Sequence, residues 1–183
     1  MTELGTTPSQ TVGPFLSICL PWADGPDLVA EGAANSITLH GRVVDGAGDP
    51  VPDALIEIWQ ADPNGRFPHP DDPRGAAGYD GFRSFGRCPT DADGNYWFRT
   101  LKPGRVDDEQ APHVDVTVLA RGLLRHLVTR IYFPDESDAN DADPTLRELD
   151  VTDRELLVAV PDGDALRFDI RLQGEHETPF FVV

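Results

Sequence analysis

A chain of 183 residues with 39% hydrophobic side chains can bury a real core in a single domain, and it contains no apolar run long enough to span a membrane. Its 15 Lys and Arg stand against 32 Asp and Glu, a formal net charge of −17, which repels phosphate backbones and anionic lipid and so argues against nucleic-acid or membrane binding. Two cysteines, Cys19 and Cys88, cannot form a disulfide framework, and the opening MTELGTTPSQ lacks the basic and apolar regions of a secretory signal; free thiols and the cytoplasm are the default expectation.

Residues 1–35 are rich in Gly, Pro and small polar side chains and show neither helical nor strand period, which predicts an extended arm. Its stretch from Thr7 to Phe15 is stiff, with exposed backbone groups suited to lining a neighbour's surface; a disordered terminus is the other reading. Over residues 36–183 strands alternate with turns: Ile37–Asp45, Leu55–Gln60, Asn95–Leu101, His113–Ala120, His126–Phe133, Leu156–Val160 and Leu166–Leu172. Turn signals fall at Asp45-Gly46, Asp49-Pro50, Asp62-Pro63-Asn64-Gly65, Asp93-Gly94 and Pro161-Asp162-Gly163. Only Asp143–Leu149 reads as a short helix. The pattern predicts an all-β fold, an antiparallel sandwich of about seven to eight strands. The Pro-, Gly- and Asp-rich block His69–Arg83 is a long loop, either functional or a surface excursion.

The strand from His113 alternates, with Val114, Val116 and Val118 on one face and His113, Asp115 and Thr117 on the other. An imidazole therefore sits beside a carboxylate. With His126, this pair could imitate the two-histidine, one-carboxylate site of a non-haem ferrous oxygenase; equally, it could be a hydrogen-bonded pair in a core or interface. The chain lacks a Gly-x-Ser-x-Gly elbow, a phosphate-binding glycine loop and a Cys-x-x-Cys pair, so hydrolysis through an activated serine, nucleotide use and zinc binding have no support. Arg121, Arg125 and Arg130 follow the central strand. A guanidinium fork suits a planar carboxylate, although a salt bridge to a surface acid is the common fate of any one arginine.

Several stretches together resemble the intradiol ring-cleaving dioxygenases. They are Gly41–Gly46, ALIEIWQAD over 54–62 followed by Asn64-Gly65-Arg66-Phe67, Thr90–Gly94, Phe98–Gly104, Ala111-Pro112-His113, LRFDIRLQG over 166–174 and the arm TPSQTVGPF over 7–15. The resemblance covers nearly the whole chain and implies a Greek-key sandwich. Catalytic members of that family hold a ferric ion with two tyrosines and two histidines. Here the first tyrosine position is Phe67, the second is Val106, and the His-x-His pair is His113-x-Asp115. The resemblance thus implies a subunit with a degenerate site and no iron of its own. Its partner would be a catalytic β chain carrying Fe(III) in a hetero-oligomer, and Thr11, Gly13, Pro14 and Arg121 would help to bind an anionic dihydroxybenzoate, with O2 as the second substrate. Two alternatives stay open: a stand-alone iron oxygenase using His113, Asp115 and His126, and a non-enzymatic transthyretin-like module, whose looser pattern Asp45-Gly46, Pro52-Asp53-Ala54 and Asp91–Tyr96 also fit.

Overall fold

The structure is a computed structural model and describes residues 6–13, 15–74 and 78–182. After a single helical turn, α1 (Leu16–Cys19), the strands are β1 (Ser36–Val44), β2 (Leu55–Trp59), β3 (Phe85–Pro89), β4 (Asn95–Leu101), β5 (His113–Leu119) and β6 (Leu127–Tyr132). Three short helices follow, α2 (Ser137–Ala142), α3 (Pro144–Arg147) and α4 (Val151–Leu156), and then β7 (Val160–Asp162), β8 (Ala165–Arg167) and β9 (Ile170–Arg171). One sheet has the order β4-β1-β8-β7, with β9 also paired to β1; the other has the order β3-β2-β5-β6. The chain changes sheet between β1 and β2, β3 and β4, and β4 and β5, so the expected sandwich is present.

Alternation explains the core. Val114, Val116 and Val118 of β5 are fully buried and pack in one cluster with Ile56 and Ile58 of β2 and, from the facing sheet, Leu39, Val43 and Phe98. Burying each such side chain is worth about 1.5–3 kcal/mol. Of the described residues, no helix is long and apolar enough to cross a membrane.

Five details differ from the sequence reading. The first sheet is mixed, because β8 and β9 lie parallel to β1; period two fixes the face a residue takes and not the direction of its partner strand. The segment Phe85–Pro89 is a strand despite Gly86 and Pro89. A side chain at Gly86 would overlap Leu28, and this glycine is what admits Leu28 to the core. Leu28 comes from the stretch read as an arm: its N–H donates to the Arg99 carbonyl at 2.8 Å, its carbonyl accepts from the Arg83 N–H at 2.8 Å, and the Arg87 N–H donates to the Gly25 carbonyl at 2.9 Å. Residues 25–29 therefore lace together β3 and β4, the edge strands of the two sheets, on this chain's own sandwich.

The expected strand Leu156–Val160 is instead the end of α4 and the start of β7. Asp150 caps that helix, accepting the Asp153 N–H at 2.9 Å, and so draws 151–156 into a turn of helix. The expected strand Leu166–Leu172 is broken at Phe168-Asp169. There the Asp169 carboxylate accepts the Arg42 N–H at 3.0 Å, the Phe168 carbonyl turns inward to the buried Tyr96 hydroxyl at 2.5 Å, and Gly41 leaves that carbonyl room. The helix expected near Asp143–Leu149 is α3, capped by the Asp143 side chain, which accepts from Thr145 and Leu146.

Candidate functional site

Two turns cross at one end of the sandwich. In the first, the Asp62 carboxylate accepts the N–H groups of Asn64 at 2.8 Å and Arg66 at 3.0 Å. In the second, the Gly104 N–H donates to the Asp62 carbonyl at 2.9 Å. Gly65, at φ +75°, lies where the turns meet, and any Cβ there would overlap the Arg105 carbonyl. The crossing brings Phe67 and Val106 onto one hollow of about 770 Å3, with Trp59, His69, Asp72 and Arg74. Phe67 stacks on Trp59, ring centroids 5.6 Å apart and 6° from parallel.

The loop His69–Arg83 takes part through Asp72 and Arg74. The Arg74 guanidinium forks onto the Asp72 carboxylate at 2.9–3.0 Å and also donates to the Gly65 carbonyl at 2.5 Å and the Val106 carbonyl at 3.4 Å. Asp72 in turn accepts the Phe67 N–H at 2.9 Å. This clamp, which residue types alone did not single out, fixes both turns that carry the hollow. Its one sequence signal is an Asp-Pro-Arg turn within the loop. Hydrogen bonding by the Arg74 side chain, then by the Phe67 and Arg74 N–H groups, holds the Asp72 carboxyl well below the usual carboxylate range. A depressed folded value means stability that is complete above the unfolded pKa of about 3.9 and is lost as pH falls below it. We expect the thermal midpoint to fall more steeply below about pH 4 in the wild type than in Asp72→Asn, which lowers the midpoint at neutral pH. Parallel curves for the two proteins across pH 2–7 would contradict this assignment.

Next to Trp59 in register is Asp115 of β5, and next to Asp115 is Arg130 of β6. The Arg130 Nε lies 2.9 Å from Asp115 Oδ1. His113 shares that face and is buried. Its Nδ1 donates to the Ala111 carbonyl at 2.8 Å, and its Nε2 lies 3.7 Å from the same Asp115 oxygen. Burial pushes the His113 pKa below the usual value, and the Arg130 charge adds to that against the opposite pull of Asp115. The imidazole is therefore neutral at pH 7.

These residues do not fit a ferric ion. Phe67 and Val106 have no donor atom, and the Asp115 carboxylate already faces the Arg130 guanidinium, which supplies the positive charge a metal would. Among the described residues no group of three His, Cys, Asp or Glu is placed to hold a metal. The His113/Asp115/His126 triad is not formed either. In the β5–β6 hairpin His113 pairs with Tyr132 and Val118 with Leu127, so His126 lies at the far end, about 20 Å along the strand from His113. A separation of 13 positions in sequence is short, but the hairpin turn converts it into nearly the full strand length.

Thr11, Gly13 and Arg121 belong to that far end. The Thr11 hydroxyl accepts the Gly122 N–H at 2.7 Å, which seats the arm on the β5–β6 turn beside Arg121. The Arg121 Nη2 lies 2.7 Å from Asp53 Oδ2, and its side chain is still 56% exposed. Gly13 is exposed; Pro14 lies outside the described residues. Arg125 and His126 border a hollow of about 230 Å3 together with Gln10 and Val12. Thr11 and Arg121 therefore stand at the opposite end of β5 from Phe67, Val106, His113 and Asp115, and neither lines the hollow of this chain.

Sandwich topology, crossed turns and the His113 strand define a class of protein, and a family comparison gives it a name. The chain belongs to the intradiol ring-cleaving dioxygenases, a ferric-iron-dependent family: the model described as Dioxygenase matches residues 25–174. It is 43% identical over 198 residues to the protocatechuate 3,4-dioxygenase alpha chain of Burkholderia cepacia, covering 100% of both chains. To the protocatechuate 3,4-dioxygenase beta chain of the same organism it is 34% identical over 157 residues, covering 78% of this chain and 66% of that one. Among solved structures, the dioxygenase domain of a dioxygenase and carbohydrate-binding fusion protein from Streptomyces sp. SirexAA-E matches with a TM-score of 0.61 at 25% identity, covering 92% of this chain and 99% of that one. Membership of this family leaves no place for the transthyretin-like module as a separate reading.

Proposed function

We propose that this chain is the α-type subunit of a protocatechuate 3,4-dioxygenase, which contributes no iron ligand and works with a β-type chain that holds the Fe(III). The complex, an αβ hetero-oligomer of the cytoplasm, opens the ring of 3,4-dihydroxybenzoate between its two hydroxyl-bearing carbons. Both atoms of O2 enter the product, 3-carboxy-cis,cis-muconate. The observation that carries this reading is a family framework kept intact around Phe67, Val106 and the Asp115–Arg130 pair, where oxygen and nitrogen donors would be needed. Full-length similarity to an alpha chain supports it.

In this reading the arm up to about residue 20 packs on the partner, and Thr11, Gly13, Pro14 and Arg121 complete the partner's substrate pocket. The place of Thr11 and Arg121 at the end of β5 away from the hollow supports a role outside this chain's own degenerate site. A guanidinium near a substrate carboxylate has a direct physical purpose, since charge-assisted forked hydrogen bonds are among the strong ones. Co-expression with a β-type chain tests the assignment. Co-elution of the two chains at equal stoichiometry is expected, and separate elution contradicts it.

A further inference from the structure

We infer that Asp53 is the positioning residue for Arg121, aiming its guanidinium at the carboxylate of an anionic aromatic substrate; this rests on the subunit reading above. The β2–β5 ladder pairs Leu55 with Leu119 in antiparallel register. Two residues further out on each strand are Asp53 and Arg121, so the pair stands where the next same-face rung of the ladder would be. Their side chains meet at 2.7 Å.

Asp53 is held on a rigid base. It adopts φ +60°, and its neighbours are pinned by the buried Thr90. The Thr90 hydroxyl donates to the Val51 carbonyl at 2.8 Å and accepts the Ala54 N–H at 2.9 Å, while the Thr90 N–H donates to the Ala54 carbonyl at 2.8 Å. Arg121 is the opposite case, a long side chain on an exposed turn. In a chain with 32 acids an untethered arginine has many nearby carboxylates to choose from, and Asp53 gives it one direction. Only Nη2 of Arg121 is engaged there, which leaves the other edge of the planar fork to meet a second carboxylate. Thr11 binds the adjacent Gly122 N–H, so arm and guanidinium share one support.

The test uses the chain co-expressed with a β-type chain. Inhibition constants are measured for 4-hydroxybenzoate and for 4-hydroxybenzamide, the same ring without the charge. Asp53→Gly removes the carboxylate without backbone strain, because glycine tolerates φ +60°. It is expected to weaken 4-hydroxybenzoate about two- to fivefold, the range of an exposed ion pair, and to leave the amide unchanged. Arg121→Ala is expected to weaken 4-hydroxybenzoate about tenfold or more. Asp53→Gly should add nothing in the Arg121→Ala background, and Asp53→Asn, which keeps an acceptor and tolerates positive φ, should recover part of the loss.

An unchanged ratio of the benzoate to the benzamide inhibition constant in Asp53→Gly, with that ratio raised in Arg121→Ala, overturns the positioning role and leaves the subunit reading standing. Tighter benzoate binding in Asp53→Gly also overturns it, since Asp53 would then compete with substrate. An active complex indifferent to Arg121→Ala overturns it by removing Arg121 from the site. Failure of the wild-type chain to join a β-type chain overturns the subunit reading, and this inference with it.

Discussion

Asp143→Ala is expected to lower the free energy of unfolding by about 3–5 kcal/mol, a large fraction of what a domain of this size has. The Asp143 carboxylate is wholly buried. It accepts the N–H groups of Ala111 at 2.9 Å, Thr145 at 2.9 Å and Leu146 at 3.2 Å, and the Tyr132 hydroxyl at 3.3 Å. Alanine would leave three N–H groups without that acceptor, those of Ala111 and Leu146 buried and that of Thr145 half-buried. The damage reaches the site, because Ala111 is the residue whose carbonyl holds His113 Nδ1. Asp143→Asn, still a good helix cap, should recover part of the loss. Urea unfolding of the two variants checks this. A loss below about 1 kcal/mol for alanine would mean that the four contacts are not made together.

Gly65→Ala is the second. Alanine in the left-handed region costs about 1–2 kcal/mol, and the overlap of its Cβ with the Arg105 carbonyl adds an overpacking cost of about 1–3 kcal/mol. Relief requires the turn before Phe67 to move away from the turn before Val106. Because Arg74 bonds the carbonyls of Gly65 and Val106, its clamp on the hollow loosens at the same time. We expect lower stability together with a change in tryptophan fluorescence, since Trp59 loses the stacked Phe67 ring. Wild-type stability and emission in Gly65→Ala would show that the two turns do not depend on this close approach.

Residue types showed that Phe67 and Val106 carry no donor atom for a metal, whatever surrounds them. They also disclosed β5, whose alternation survives because one face is buried and a slip of one residue would turn Val114, Val116 and Val118 to solvent. What surrounds Phe67 and Val106 was not legible. The Asp115–Arg130 pair depends on hairpin register, and the Asp72–Arg74 clamp depends on a contact with Val106, 32 residues away. Strand β3 was hidden for a related reason. Gly86 and Pro89 look like loop residues until Leu28, nearly 60 positions earlier, is seen to fill the space that glycine leaves. The break at Phe168-Asp169 likewise needs Gly41 and Tyr96 as partners. In each case local chemistry named the residue types, and a distant residue decided what they do.

The most direct measurement is protein-bound iron and protocatechuate turnover, for this chain alone and for the chain co-expressed with a β-type partner. Iron and turnover only in the mixture, in a complex containing both chains, is the result expected from a hollow lined by Phe67 and Val106 beside the Asp115–Arg130 pair. Stoichiometric iron and turnover on the isolated chain would contradict it and make His113 and Asp115 the ligands of a working site.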